Sequence, residues 1–162
     1  MGNAAGEDRL DLEIRRTIKA PPSLIWMVLT DAEHLKKWFV PRPWTIPEAE
    51  IDPRPGGKFY LRMAGPNGEE SGAGGCVLEA VENEKLSWTD ALTEGYRPAE
   101  KPFMTAIITM KPVEGGTEYV ARALHHCEAD RVQHEEMGFF DGWGTVADQL
   151  AELVEKIHGD KG

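Results

Sequence analysis

Long apolar runs, cysteines and clusters of basic residues are scarce in this sequence. No stretch of about eighteen consecutive apolar residues occurs, which excludes a transmembrane helix and predicts no membrane insertion. The two cysteines, Cys76 and Cys127, are too few for a disulfide scaffold. The first residues also lack the apolar segment of a secretory signal peptide. The sequence therefore predicts a soluble, cytoplasmic protein.

Basic side chains are outnumbered by acidic ones. There are 18 Lys and Arg against 28 Asp and Glu, which gives a formal net charge of −10. This charge opposes contact with phosphate backbones, so nucleic acid is not expected as a partner. Hydrophobic side chains make up 41% of the 162 residues, a normal share for one globular domain. We place this domain at residues 10–158, after a flexible N-terminal segment of residues 1–9.

Alternating apolar and polar side chains predict seven strands. In the first, residues 10–18, Leu12 and Ile14 alternate with charged neighbours. The others are expected at 49–52, 58–63, 74–81, 85–90, 103–111 and 117–124, in an antiparallel meander. The glycine-rich segment 72–75 is interpreted as a hairpin or bulge, because no Lys-Ser or Lys-Thr pair of a phosphate-binding loop follows it. The segment 91–102 is expected to be a solvated loop, and the alternative is a loop over the cavity mouth in which Arg97 meets a ligand carboxylate.

Two short helices and one long helix complete the pattern. Ser23 and Asp31 are N-cap candidates for two helices that follow the first strand. Apolar residues then recur every three or four positions from about residue 129 to 159, which predicts one long amphipathic helix. Gly138, Gly142 and Gly144 within it each cost up to about 1 kcal/mol relative to Ala. Close packing against the sheet, or room for a ligand, would offset this cost.

These elements predict an α+β fold in which a curved, antiparallel seven-stranded sheet wraps around the long C-terminal helix. A flat sheet would leave apolar surface in water, because one helix cannot cover seven strands. A curved sheet encloses its apolar face around the helix, and the two short helices are expected to close one open end of this wrapped sheet. Such a wrap seldom fills completely, so we expect an internal cavity between the sheet and the helix.

Several motifs resemble a known family. They are Pro22-Ser23-Leu24-Ile25-Trp26, Leu35-Lys36-Lys37-Trp38-Phe39, Pro55-Gly56-Gly57-Lys58-Phe59, Glu84-Lys85-Leu86-Ser87-Trp88-Thr89, Gly115-Gly116-Thr117-Glu118 and Gly142-Trp143. Their order and spacing, from Leu10 to Ile157, resemble the SRPBCC superfamily and its activator of heat-shock-protein-90 ATPase homologue family. The resemblance implies the helix-grip (START-like) fold. The superfamily includes lipid and polyketide binders, cyclases and a chaperone co-activator, so a fold analogy does not choose among these functions.

The candidate ligand-binding residues are mostly aromatic. Aromatic and thioether side chains on one interior surface suit a flat apolar ligand, and the alternative is that they only fill the core. The predicted cavity residues are Trp38, Phe39, Trp44, Phe59, Trp88, Phe103, His125, Met137, Phe140 and Trp143.

The polar residues give weaker evidence for a functional site than the aromatic residues do. His125 and Cys127 fall on one face of the last strand, with His134 on the following helix, but a third and fourth ligand at fixed spacing are missing. We therefore expect no metal and no cofactor, and a buried, hydrogen-bonded His125. No Gly-x-Ser-x-Gly motif occurs, so no catalytic residue is nominated. Among candidate acids and bases, Glu79, Glu136 and Asp141 are expected to face water, which leaves Asp90 and His125.

The sequence leaves three functions open. The leading hypothesis is a small domain that binds a hydrophobic or aromatic, lipid- or polyketide-like molecule in the cavity. The second is a cyclase- or hydrolase-like enzyme that uses the same cavity. The third is a chaperone ATPase co-activator or another stress-response protein-binding module; it ranks below ligand binding, because the eukaryotic activators carry a separate N-terminal domain and only about nine residues precede the first strand here. A homodimer formed through an edge strand is left open.

Overall fold

A large antiparallel sheet dominates the computed structural model, which describes residues 10–161. Its strands are β1 (Asp11–Ile18), β2 (Thr45–Ile51), β3 (Lys58–Ala64), β4 (Glu70–Val81), β5 (Lys85–Thr89), β8 (Thr105–Val113) and β9 (Gly116–Leu124). They lie in the order β1-β9-β8-β5-β4-β3-β2. A separate short hairpin pairs β6 (Leu92–Thr93) with β7 (Arg97–Pro98). The predicted flexible segment, residues 1–9, lies outside the described residues.

The α-helices of the described chain are α1 (Pro22–Thr30), α2 (Ala32–Leu35), α3 (Glu128–Glu136) and α4 (Phe139–Lys161), and a short 3-10 helix, Glu94–Tyr96, connects β6 to β7. The sheet is curled, and α4 lies on its concave face. Leu12, Ile14 and Ile18 of β1 point into this interface, where Leu150 and Val154 of α4 are fully buried. Alternation along the strands and the helical period of α4 thus present apolar side chains to one core. The α+β architecture with seven strands around a long C-terminal helix is confirmed.

The single long helix predicted from about residue 129 is wrong in one respect, because two helices occupy this segment. Gly138 adopts a φ of +97°, and its N–H donates to the carbonyl of Glu135 at 3.0 Å. A left-handed glycine of this kind ends a helix, and α4 starts at the next residue. Met137 and Phe140 continue the apolar spacing across the break, but spacing carries no information about the backbone angle of Gly138.

The helix start at Ser23 is also wrong. Pro21 occupies the N-cap position of α1, and Pro22 is the first helical residue, where a missing N–H costs nothing. Asp31 is the N-cap residue of α2, as predicted, but its carboxylate pairs with His34 and makes no capping hydrogen bond. The caps are therefore set by backbone geometry more than by side-chain oxygens.

Two strands are longer than predicted. Strand β2 includes Pro47 and begins at Thr45, because it is an edge strand that pairs only with β3 and its register shifts between Thr45 and Glu48. A proline is tolerated at such an edge irregularity. The segment 72–75, interpreted as a hairpin or bulge, lies within β4 in regular register with β3. The segment 91–102, expected as a loop, contains the β6-β7 hairpin, and Arg97 is exposed.

Candidate functional site

The predicted cavity lies between the concave face of the sheet and α4, and we call it the main cavity. Its volume is about 300 Å³. It is lined by Phe39, Val40, Pro41, Phe59, Leu61, Met63, Gly74, Gly75, Trp88, Asp90, Met104, Ile108, Tyr119, Ala121, Gly142, Trp143 and Val146. Most of these side chains are apolar, so the cavity offers a dry surface to a ligand.

Aromatic rings form one wall of the main cavity. The ring of Phe59 in β3 stacks on that of Trp88 in β5, with centroids 4.3 Å apart and planes 11° from parallel. Phe39 approaches both rings at 6.0 and 5.9 Å. Strand β4 separates β3 from β5, so side chains of these strands meet only when the intervening residue is small. That residue is Gly75, which is paired with Phe59 and on the same face.

The backbone of Gly75 is closely surrounded. A β-carbon added there would lie 2.7 Å from the carbonyl oxygen of Thr89. The glycine therefore permits both the strand packing and the contact between the rings above it. This is the structural role of the glycine-rich segment noted in the sequence.

The rim of the cavity is held by a buried glutamine of α4. Gln149 Nε2 donates to the carbonyl oxygens of Trp38 and Val40 at 2.9 and 2.7 Å. Its Oε1 accepts from the N–H of Arg42 at 3.0 Å. The amide thus binds three backbone groups of the segment 38–42, which carries Phe39, Val40 and Pro41 to the cavity. Gln149 is a positioning residue for this rim.

Two polar side chains, Asp90 and Tyr119, lie on the cavity wall. Asp90 Oδ1 accepts from the N–H groups of Phe103 and Met104 at 2.7 and 3.0 Å, which ties the end of β5 to the segment before β8. Tyr119 points inward from β9, and burial raises the pKa of its hydroxyl above the usual range. The phenol therefore stays neutral at physiological pH.

A second cavity of about 240 Å³ adjoins the first. Its walls include Phe103, His125 and His126, and Asp90 and Met104 line both cavities. Asp90 therefore stands at the partition between the two spaces.

A histidine pair lies beside the second cavity. A carbonyl oxygen only accepts, so His125 Nδ1 donates to the Leu10 oxygen at 2.7 Å. In the neutral His125 ring, Nε2 then accepts from His134 Nδ1 at 2.9 Å. Burial, with a smaller effect of the neighbouring His125, lowers the pKa of His134 to about 4. The expected hydrogen-bonded, buried His125 is confirmed.

The structure separates the predicted ligand-binding residues into four groups. Phe39, Phe59, Trp88 and Trp143 line the main cavity, and Phe103 and His125 line the second. Trp38 is fully buried beside Phe39, with its indole N–H donating to the Val28 carbonyl at 3.1 Å, and Trp44 is half-buried beside Gly65.

Two predicted residues point elsewhere. Met137 and Phe140, placed in the cavity by helical spacing, are 69% and 48% exposed at the break between α3 and α4. The break turns them away from the sheet.

Sequence reasoning passed over Tyr119 and Gln149, whereas room for a ligand was one of the two explanations given for Gly142, which lines the main cavity. Tyr119 could have been found by alternation, since it shares the inward face of β9 with Thr117 and Ala121. Gln149 was visible as a polar residue within the apolar stripe of the last helix. The exposed positions of Glu79, Glu136 and Asp141 agree with their prediction.

Neither a metal site nor a membrane span is found in the described part of the chain. Within residues 10–161, no group of three or more His, Cys, Asp or Glu side chains is arranged to hold a metal ion. The helices of the same residues include none that is long and apolar enough to span a membrane.

Comparison with known proteins identifies the same family as the sequence motifs. A protein-family model described as Activator of Hsp90 ATPase homolog 1-like protein matches residues 19–155. A crystal structure of a protein from Nitrosomonas europaea is similar, with 46% identity, a TM-score of 0.90, and coverage of 93% of this chain and 97% of that chain. Comparison with curated proteins gave no match.

More distant structures share the fold. A crystal structure of a Mycobacterium smegmatis protein has 25% identity and a TM-score of 0.77, covering 91% of this chain and 92% of the other. A solution structure of an AHSA1-like protein from Aeromonas hydrophila has 16% identity and a TM-score of 0.68, covering 92% and 94%. The family-model match and the Nitrosomonas europaea structure confirm the family resemblance, and the more distant structures share the helix-grip fold that the motifs indicated.

Proposed function

Given that the chain belongs to the Activator of Hsp90 ATPase homolog 1-like family, we propose that it binds a small, hydrophobic or aromatic molecule in the main cavity. The observation that carries this proposal is the cavity itself, about 300 Å³ of space walled by aromatic rings that already contact each other. Ligand sites are usually preformed, concave and mostly apolar.

The main cavity leaves apolar wall surface without protein contacts. Each Å² of such surface that a ligand removes from water contributes about 25 cal/mol of hydrophobic stabilisation. Small residues maintain the space, since Gly75, Ala121 and Gly142 line it where larger apolar side chains would fill it. A bound ligand would supply the missing contacts.

The wall residues suit a flat ligand. The stacked pair of Phe59 and Trp88 presents an extended aromatic surface from the sheet, and Trp143 contributes a third ring from α4. Rings prefer offset-stacked or edge-to-face neighbours, and such pairs add about 0.5–1.5 kcal/mol beyond burial. Phe39, held by the Gln149 hydrogen bonds to its segment, lines the cavity from the rim.

The first test compares the native mass of the purified protein with its denatured mass, at a resolution that shows an adduct of a few hundred daltons. We expect an adduct that is released on denaturation and can then be extracted and identified. If the masses are equal, titration with naphthalene, followed by amide NMR spectra, is the deciding measurement. No shift at cavity residues in that titration would refute the proposal.

A pair of variants locates the site. Trp143→Ala removes a wall ring, and Trp26→Ala removes a half-buried ring of α1 that does not line either cavity. We expect the first variant to weaken binding at least tenfold, while the second leaves it unchanged. Both variants are checked for folding by circular dichroism. Equal effects of the two substitutions would place the ligand outside the main cavity.

A second candidate function is the binding of a partner protein, including a chaperone. The observation that favours it is the exposure of Met137 and Phe140, two apolar side chains at the junction of α3 and α4. Replacing both by Lys should abolish any stimulation of a chaperone ATPase by the wild-type protein. Absence of stimulation by a large excess of the wild-type protein would end this candidate.

A further inference from the structure

Only one side chain of α3 is buried in the interior. His134 is 8% exposed, and the other residues of α3 are half-buried or exposed. A surface helix normally presents a continuous apolar stripe to the core, and α3 has none, since its sequence is EADRVQHEE. A segment with few buried apolar contacts can open while the rest of a protein stays folded. The attachment of α3 therefore depends mainly on His134.

The ring of His134 packs against wall residues of both cavities. Its centroid lies 5.0 Å from that of Phe103, which lines the second cavity, and 5.8 Å from that of Trp143, which lines the main cavity. Phe139, the first residue of α4, lies at 5.2 Å. Movement of α3 away from the sheet would therefore uncover rings that belong to both cavity walls.

One hydrogen atom joins His134 to His125. His125 Nδ1 donates to the Leu10 carbonyl oxygen at 2.7 Å, and 2.9 Å separates His125 Nε2 from His134 Nδ1. Both nitrogens of an imidazole carry hydrogens in the cation, whereas one of them has a free lone pair in the neutral ring. The hydrogen bond between the rings therefore survives when at most one of them is charged. When both are charged, two N–H groups face each other and the bond is lost.

The surroundings of His134 do not compensate a charge. Apart from His125, the rings in contact with it carry no charge: Phe103 comes from the segment before β8, and Phe139 and Trp143 come from α4. Burial, and to a smaller extent the neighbouring His125, lowers the pKa of His134 to about 4. The titratable and charged side chains of the surrounding elements are Asp11, which pairs with Arg122, Asp90 and His126, which line the second cavity with His125, Lys101, Asp141, and Glu128, Asp130, Arg131, Glu135 and Glu136 of α3 itself.

Gly138 supplies a hinge at the C-terminal end of α3. Its φ of +97° lies in the left-handed region, and a β-carbon added there has no heavy atom within 4 Å beyond its chain neighbours. The first turn of α4 closes independently, because the Gly142 N–H donates to the Gly138 carbonyl oxygen at 2.7 Å. At the other end of α3, Cys127 is extended, with a φ of −149°. Rotation about these end residues moves α3 without unwinding α4.

We propose that α3 is a hinged cover of the interior, which the His125–His134 pair holds closed and which opens when both histidines carry a proton. Opening turns α3 about Gly138 and uncovers Phe103 and Trp143, so that the interior becomes accessible at this end of the sheet. This inference does not depend on the proposed function, because it concerns the attachment of a helix and not the identity of a ligand.

The direction of the pH effect follows from proton binding. A histidine that opening exposes has a pKa near 6.5, whereas the covered His134 has a pKa of about 4. The open form therefore binds more protons than the closed form between these pH values, and its population rises as the pH falls. The rise from pH 6.5 to pH 4 is about 100-fold.

Amide hydrogen exchange tests the proposal on the whole protein. Exchange is followed by NMR from pH 7 to pH 4 and corrected for the intrinsic pH dependence of the amides. We expect the amides of α3 to lose protection by about 100-fold over this range. At every pH they should also exchange at least tenfold faster than the amides of β8 and β9, because opening of α3 leaves the sheet folded. Equal protection of α3 and these strands would mean that α3 opens only when the whole protein unfolds, and would overturn the proposal.

A matched pair of variants assigns the pH effect to the histidine pair. His134→Asn keeps a donor for His125 but has no titratable ring, so protection of α3 should change at most severalfold between pH 7 and pH 4. His126→Asn removes the neighbouring, exposed histidine and should respond as the wild-type protein does. A 100-fold response that persists in His134→Asn, or that is lost in His126→Asn, would refute the role of the pair. If His134→Asn does not fold, pH-independent protection of α3 in the wild-type protein is the refuting result.

Discussion

Gly142→Leu should make the protein more stable and at the same time abolish ligand binding. Gly142 lies in α4 on the wall of the main cavity, together with Trp143 and Val146. A β-carbon added at Gly142 has no heavy atom within 4 Å, other than the backbone of its own helix turn and its chain neighbours. A leucine there extends into empty space that the ligand would otherwise occupy.

The magnitude follows from two contributions. Replacing a helical glycine by leucine contributes about 0.5–1 kcal/mol through helix propensity. Complete burial of the leucine side chain contributes about 1.5–3 kcal/mol, and partial burial in a cavity that opens to solvent contributes less. The sum is roughly 2 kcal/mol. In a protein of 162 residues, each kcal/mol raises Tm by about 2–4 °C, so we expect a rise of about 4–8 °C.

The assay combines thermal unfolding with a naphthalene titration. Gly159→Leu is the matched control, because Gly159 is exposed near the end of the same helix and a β-carbon there also meets open space. It should change Tm slightly and leave naphthalene affinity intact. Destabilisation of Gly142→Leu by 1–3 kcal/mol, the usual cost of overpacking a filled core, would refute the cavity. Unaltered naphthalene affinity would refute the ligand position.

Three further predictions concern the supports of the site. Gln149→Glu loses both donors to the rim carbonyls and should lower the free energy of unfolding by about 2–4 kcal/mol, measured by urea denaturation. The low pKa of His134, about 4 against 6.5 in a free side chain, means that the unfolded chain binds more protons between these pH values. Stability should therefore fall by about 2–3 kcal/mol as pH drops from 6.5 to 4, and His134→Asn, which keeps a donor for His125, should remove this slope. Gly57→Ala would overlap the Asp52 carbonyl oxygen and should cost about 2 kcal/mol or more in chemical denaturation.

Each of these predictions has a contradicting outcome. Full stability of Gln149→Glu would show that the rim is held by packing alone. A pH slope that persists in His134→Asn would assign the titration to another group. Gly57→Ala is compared with Gly142→Ala, which should be stabilised by up to about 1 kcal/mol because its new methyl group meets open space. Equal stability of the two alanine variants would mean that the turn at residues 52–57 relaxes freely.

The sequence by itself determined the order and type of the main elements. Alternation in β1 and the periodic spacing of Leu150 and Val154 report which side of each element is apolar, and this property is local. Seven strands followed by a long helix then leave few ways to bury those faces, so the wrapped sheet could be predicted. The family motifs are local as well, because each is a short segment whose residue types suit the backbone conformation of that segment. They could therefore be recognised from the sequence alone.

Only the tertiary structure decided which residues meet in the cavity. Phe59 and Trp88 are 29 positions apart in the sequence and belong to strands that are not neighbours; they stack because Gly75 leaves room between them. Gln149 reaches three backbone groups more than a hundred positions away. Contacts of this kind depend on the order of the strands in the sheet and on small residues, such as Gly75, that leave space for larger neighbours. Neither property produces a periodic pattern in the local sequence.

The break at Gly138 is a feature that the periodicity of the sequence did not predict. Helical spacing placed Met137 and Phe140 in the cavity, and a single left-handed residue put both in solvent. Periodicity records which residues would share a helix face if the helix were continuous. Continuity itself depends on the backbone angle of one glycine, and glycine, without a β-carbon, is the residue that leaves this angle open until packing against the sheet selects it.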